Sequence, residues 1–311
     1  MKGLDNLGQT CFFNAAVQCL LFSPNSTNYC LQCPPDLNPK RKGASTVSHA
    51  FVDLVRSYWN SGAQGDVADI RPLYDAFCKA TRNFKPGQQH DAHEAMVCLL
   101  DKLHEGMSRL KPGDVAVSKD ASVSGSEWMA SLKQECSVIS EVFRGQIRVT
   151  VEGEGYTSVT YDHFTSLSLA VSDASALTGC VQRFMAPETV LEYKEGARTM
   201  PVTLTKTFTY LPRILIMHLK RFDGSATKLD KFVDYPFELN LSTHTASEQV
   251  HHHYQLFAVC LHRGTTSQGH YAACCEANGM WFLLDDQSSQ RMENINHVIQ
   301  RDAYILMYKR L

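Results

Sequence analysis

A change of hydrophobic period partway along the chain constrains the fold more than any other feature. Through residues 1–110 apolar side chains recur at the i, i+3, i+4, i+7 spacing of one helix face: Val47, Ala50, Phe51, Leu54, Val55 and Tyr58 do so, and Ile70, Leu73, Tyr74, Phe77 and Cys78 repeat it. A third stripe, Ala92, Ala95, Met96, Leu99, Leu100 and Leu103, starts just after Lys85-Pro86-Gly87, a turn signal suited to a helix start. Residues 111–126, rich in Gly, Ser, Asp and Lys, read as a connecting loop, and a further helix is expected over roughly 127–143. Beyond that point the texture becomes that of strands. Turn-bounded β-rich runs occupy 146–151, 157–161, 167–171, 202–209, 213–219, 254–262, 271–276 and 303–308. Ile214, Leu215, Ile216 and Met217 form an unbroken apolar run, as a strand covered on both faces would. Helices first and a mostly antiparallel sheet later define an α+β layout, not βαβ alternation.

Composition removes several function classes. At ~100–200 residues per domain, 311 residues suit a single large domain with an ample core. Lys+Arg 30 against Asp+Glu 32 leaves a net charge of -2, so no cation excess exists to grip nucleic acid through its phosphates. No window approaches ~18 consecutive apolar residues, which argues against a membrane span. The opening MKGLDNLGQTC lacks the apolar core and cleavage site of a secretory signal, and the 11 cysteines, an odd number, fit a reducing compartment. An intracellular protein of the cytoplasm or nucleus is expected.

Two segments carry chemistry. Cys11 stands in GQTCFFNAAVQCLLF, which reads as a short buried helix with Thr10 as its N-cap and the cysteine in the first turn. Unpaired N–H groups and the positive helix end there should favour thiolate over thiol and could serve an oxyanion. Alone, the residue reads first as a small buried hydrophobe, and its local sequence does not overturn that. Near the C-terminus come Gln268-Gly269-His270-Tyr271, then Trp281 and Asp285-Asp286. A hairpin turning at Asn278-Gly279 would bring the Asp285 carboxylate beside the His270 imidazole. Cysteine, histidine and an orienting acid make a thiol-hydrolase triad, although a lone His–Asp pair is as readily structural. In QQHDAHE, residues 88–94, Asp91 and Glu94 are i, i+3 neighbours whose carboxylates can share a helix side, either as a solvated acidic face or as a channel wall.

Together GLDNLGQTCFFNAAVQCL, QQHDAHE, LPRILIMHLKRF, KFVDYPFELNL, YQLFAVCLHRGTTSQGHYAA, WFLLDD and AYILMY, in this order, resemble the ubiquitin-specific protease family over nearly the whole chain. The resemblance implies a papain-like α+β catalytic domain over 1–311, with a helical thumb (1–110), a connecting loop and helix (111–144), mainly fingers over 145–210 and a palm over 211–311. It implies Cys11 as nucleophile, His270 as general base, Asp285 as its orienting acid, Asn6 as oxyanion donor and Asp286 as support for that donor or a substitute for Asp285. Gln89, Asp91 and Glu94 would meet the Arg-containing ubiquitin tail, with Gly269 and Tyr271 bracketing its Gly-Gly end. Ubiquitin, polyubiquitin chains and ubiquitinated proteins would be the partners of a monomer, either a minimal enzyme or an excised domain. The implied chemistry needs no metal or organic cofactor.

Rival readings keep the mechanism on another Gly-Gly-ended modifier, make the chain a ubiquitin-binding pseudoenzyme, or make it another Cys-His-Asp enzyme such as an acyltransferase. Two departures from the family pattern stand out. Gln9 occupies the usual asparagine position of Gly-Asn-Thr-Cys, which leaves the modifier open. The finger positions where many relatives place two zinc-binding CxxC pairs read VTVEGEGYTSV and VLEYKEGARTMPV, without cysteine. Cys30 and Cys33 form a lone CxxC, read as free thiols, and His251-His252-His253 with nearby His244 reads as a polar loop. Elemental analysis of the purified protein should therefore find well under one zinc per chain; a tightly held equivalent would contradict this reading.

Overall fold

A computed structural model describes residues 1–33, 37–60, 67–108, 128, 136–222, 228–246, 252–265 and 268–311. The expected loop at 111–126 and all but Trp128 of the stretch 127–135 lie outside the described residues.

Among the described residues six helices come first: α1 Cys11–Leu21, α2 Pro24–Gln32, α3 Lys42–Asn60, α4 Arg71–Ala80, α5 Ala92–Met107 and α6 Val138–Phe143. The three periodic stripes fall on α3, α4 and α5, and their large apolar members are buried. Every residue of α1 is buried, because its sequence offers only Asn14 and Gln18 as polar side chains. Of the helix expected over 127–143, α6 is the final part. Two short helices escaped the sequence reading. One is α2, which starts on Pro24; the other, α7 Leu177–Met185, lies among the strands.

Four strands form an antiparallel sheet in the order β2-β1-β5-β4: β1 Gly145–Gly153, β2 Tyr156–Phe164, β4 Glu188–Glu195 and β5 Arg198–Tyr210. Edge strand β4 is wet on both faces, so it shows no apolar alternation and was not legible as a strand. Two-residue turns close both outer hairpins, with Gly155 and Gly196 in left-handed conformation. Next to them the rings of Tyr156 and Tyr193 meet at 5.8 Å.

The second sheet contains β3 Ser166–Ala170, β6 Ile214–Lys220, β7 Glu238–Asn240, β8 His253–Gly264, β9 Gly269–Ala277, β10 Met280–Asp285, β11 Ser288–Met292 and β12 Ala303–Arg310. Its order is β11-β10-β9-β8-β12-β6-β3, with β7 paired to β8. All pairs are antiparallel except β3 with β6. The apolar run in β6 splits as its pattern requires: Ile214 and Ile216 enter the core shared with α1, α3, α4 and α5, while Leu215 and Met217 enter the core beneath α7. The β9–β10 turn falls at Asn278-Gly279, both left-handed, as expected from the sequence.

Helices α3 and α5 approach closely at Gly106. A Cβ there would lie 2.3 Å from Ser48 Oγ and 2.4 Å from the Ala44 carbonyl oxygen. Gly106→Ala should therefore destabilise the protein by about 1–3 kcal/mol in chemical denaturation, despite alanine's better helix propensity.

Candidate active site

The first residues of the chain reach the site by pairing with its last hairpin. The Leu4 N–H donates to the Asp286 carbonyl oxygen at 2.7 Å, and Leu4 also bridges to Ala68. Gly8 and Gln9 then take φ values of 88° and 58°, and this left-handed pair turns the chain into α1. Glutamine has no short side chain to ease that conformation, so Gln9 carries strain of about 1 kcal/mol. Thr10 holds the N-cap position but does not cap through its side chain; its hydroxyl accepts the Leu7 N–H at 3.0 Å instead. This corrects the expected cap.

Cys11 opens α1 at 4% exposure. Burial is the largest influence on its thiol and pushes the pKa up, opposed by backbone N–H groups of Tyr271, Phe12 and Cys11 itself and assisted by the charge of Asp286. The depressed pKa expected from the helix N-terminus is thus overturned: desolvation outweighs the N–H groups in the resting site.

Because the Tyr271 N–H reaches the thiol, the start of β9 lies against the start of α1. His270, one residue earlier, places Nε2 2.6 Å from Asp285 Oδ1 at the end of β10. The predicted hairpin brings this pair together, leaving Nδ1 to exchange a proton. Asp286 has a different task. Left-handed at φ 47°, it accepts hydrogen bonds from Asn6 Nδ2 on Oδ2 at 2.6 Å and from Asn14 Nδ2 on Oδ1 at 2.7 Å. It supports Asn6 and leaves the imidazole to Asp285.

A cleft leads away from His270 between the helical half and the second sheet. Gln89 Nε2 donates across it to the Gly269 carbonyl oxygen at 3.1 Å. One pocket of about 290 Å³ is lined by Gln89, Asp91, Phe222, His262, Gly269 and Tyr271, and it adjoins a wider hollow beside Gln9, Arg263 and His270. Any side chain at 269 would strike the His262 ring, since a Cβ would lie 2.1 Å from Nε2. Asp91 is not a face-mate of Glu94, as the i, i+3 reading had it, but the N-cap of α5. Its Oδ1 accepts the Glu94 N–H at 2.9 Å and its Oδ2 accepts the Tyr304 hydroxyl, while Glu94 itself is solvent-exposed. Arg263 at the same mouth makes the charge mixed.

His262, which lines the pocket, and Tyr304, buried behind it, were missed, although both lie inside recognised motifs. Burial pushes the His262 imidazole down to about 4, so it packs as a neutral ring 4.5 Å from that of Tyr271. Among the described residues only His270, Asp285 and Asp286 have metal-like proximity, within 4.8 Å, and their facing atoms already bond one another or Asn6 and Asn14. Cys30 and Cys33 are free thiols whose carbonyls are held by Arg56. His252 and His253 have ring centroids 4.6 Å apart; His251 lies outside the described residues.

A thiol, a His–Asp pair and an anchored amide thus stand together at the head of the cleft, the side-chain types of a cysteine hydrolase. Residues 2–308 match the ubiquitin carboxyl-terminal hydrolase family, and the chain belongs to it. It is 31% identical to ubiquitin carboxyl-terminal hydrolase 2 of Rattus norvegicus over 99% of this chain and 54% of that protein. It is 30% identical to ubiquitin carboxyl-terminal hydrolase Usp2 of Drosophila melanogaster over 99% of this chain and 34% of that protein. The chain thus spans about a third to a half of these relatives. In fold it is similar to Ubp8 of the SAGA DUB module bound to monoubiquitin, with a TM-score of 0.80 at 24% identity, covering 100% of this chain and 69% of that one. The same module bound to ubiquitin aldehyde gives 0.78 at 23% identity, over 100% and 70%. The helical half is the thumb of this fold, the eight-stranded sheet its palm and the four-stranded sheet its fingers.

Asp286 gives the site opposing electrostatic effects that one substitution separates. Asp286→Asn removes the negative charge that raises the Cys11 pKa, so more thiolate exists at a given pH and iodoacetamide should alkylate Cys11 faster at pH 7. The new amide nitrogen must face either Asn6 or Asn14 Nδ2, so turnover should fall about tenfold or more. Slower alkylation would contradict this electrostatic account.

Proposed function

We propose that the chain is a thiol isopeptidase that hydrolyses the bond after the C-terminal Gly-Gly of ubiquitin. The observation that carries the reading is the 2.6 Å His270–Asp285 pair set beside the N-terminus of α1, where Cys11 begins the helix and Asn6 is anchored by Asp286. Family membership and the ubiquitin-bound state of the similar solved structures support ubiquitin as the modifier.

In this reading Cys11 is a neutral thiol at rest, and His270 takes its proton as the thiol attacks the glycine carbonyl. The carbonyl oxygen becomes an oxyanion that the remaining Asn6 Nδ2 hydrogen and the N–H groups at the start of α1 stabilise. His270 then protonates the departing lysine amine, leaving a thioester. Asp285 keeps the imidazole oriented and stabilises its cationic form. Water deprotonated by His270 releases the modifier and restores the thiol.

The cleft supports the same reading through size. With His262 under Gly269 and Tyr271 beside it, the passage suits a tail ending in glycines, and Gln89 already offers an amide to extended backbone. The lone pairs of Asp91 not engaged by Tyr304 and Glu94 face a tail arginine as charge-assisted acceptors. No described helix is long and apolar enough to cross a membrane. All 11 cysteines are free thiols, which supports work in the reducing cytoplasm or nucleus.

Incubation with ubiquitin and ubiquitin-like probes bearing a C-terminal electrophile should give a covalent adduct with the ubiquitin probe, and Cys11→Ala should abolish it. An adduct with a different Gly-Gly-ended modifier alone would reassign the substrate. The absence of any adduct would overturn the enzyme reading in favour of a binding protein.

A further inference from the structure

We propose that Asn14 is a positioning residue for the oxyanion donor, acting on Asn6 from both sides. The inference rests on the assignment of Asn6 given above. Asn14 lies on the first turn of α1, three residues after Cys11, and is 1% exposed. Its amide nitrogen makes two contacts. One goes to Asp286 Oδ1 at 2.7 Å and the other to the Asp5 carbonyl oxygen at 3.1 Å.

Both acceptors serve Asn6. Asp5 is its backbone predecessor, and Asp286 accepts the Asn6 amide at 2.6 Å on its second carboxylate oxygen. The orientation of the Asn6 amide is then fixed. Its Oδ1 accepts the Gly8 N–H at 2.9 Å and the Thr10 hydroxyl at 3.4 Å, so its nitrogen must face Asp286. One Nδ2 hydrogen is used by Asp286, and the second remains for an oxyanion.

Asn6 is exposed, and while Gly8 and Thr10 hold its Oδ1, its Nδ2 rests on Asp286. Asn14 steadies Asp286 and the Asp5 carbonyl from a helix with no exposed residue. It therefore transmits the rigidity of the core to a side chain at the surface.

Asn14 Oδ1 is buried without a hydrogen-bond partner, but this orphan carbonyl does not set Asn14 apart, because Gln18 Oε1 on the same helix is buried in the same way. The difference lies in where the amide hydrogens go. What asparagine adds here is its pair of N–H donors, and both are directed at the supports of Asn6. Gln18, one turn further along the same helix, sends its amide to the Lys2 carbonyl oxygen at 3.3 Å and has no contact with the site.

The test is a double-mutant cycle on the whole chain with a fluorogenic C-terminal ubiquitin amide, reading kcat and KM separately. Asn6→Ala should lower kcat about 100-fold. Asn14→Leu should lower kcat about tenfold with KM within twofold, and in the Asn6→Ala background it should cost less than twofold. A kcat loss from Asn14→Leu that persists undiminished without Asn6 would overturn the proposal while leaving Asn6 as the donor. If Asn6→Ala is itself neutral, the oxyanion assignment fails and the positioning role with it. Should Asn14→Leu not fold, as judged by loss of a cooperative melt, Asn14→Ala removes the same two donors without adding bulk, and the cycle is read with it by the same criteria.

Discussion

The carboxylate of Asp286 joins the two ends of the sequence, and the site depends on that junction. Its oxygens bond side chains 280 and 272 residues earlier in the chain, and its own carbonyl pairs with Leu4. Gln287 adds a bond to Asp5 at 3.0 Å, and Gly3 lies so close to the 286–287 backbone that no side chain fits there. The apolar packing of α1 on β9 already holds the cysteine helix against the histidine hairpin, and this contact adds the polar bonds that orient Asn6 and Asn14 beside them. The junction has a chemical cost: burial pushes the Cys11 pKa up most, and the Asp286 charge adds to it. In the proposed mechanism, proton transfer to His270 therefore belongs to the reaction, not to the resting state.

A second polar network fixes the floor of the cleft. Asp91 caps α5 and accepts the Tyr304 hydroxyl, and the ring of Tyr304 packs edge-on against His218 at 4.8 Å. His218 stacks on His93 at 3.9 Å, and the two rings hydrogen-bond Ser168 and Ser166. Burial, with His93 close by, pushes His218 down to about 3, and burial lowers His93 as well. Two neutral rings can stack where two imidazolium ions would repel, so desolvation is what allows this contact between thumb and palm.

Much of this was legible in advance because it is written in local patterns. The stripes of α3, α4 and α5 have a period that only a helix can bury on one side. Ile214–Met217 could be read as a doubly covered strand because it contains no polar position. Asn278-Gly279 specified a two-residue turn, and with it the approach of Asp285 to His270. Strand β4 was invisible since both of its faces meet water. The loss of the Thr10 cap and the role of Asp91 were also unreadable: each hydroxyl or carboxylate had more than one candidate partner, and only the tertiary arrangement selects among them.

The sequence by itself determined the candidate site residues and that helices would precede sheet, because side-chain type and hydrophobic period are local properties. Tertiary structure decided what each polar group does there. It placed Asp285 on the imidazole and Asp286 on the two asparagines, raised a thiol that its helix alone would have lowered, and turned Asp91 inward as a cap. The physical reason is that hydrogen-bond partners and desolvation depend on residues hundreds of positions apart, and neither exists until the two ends of the chain meet.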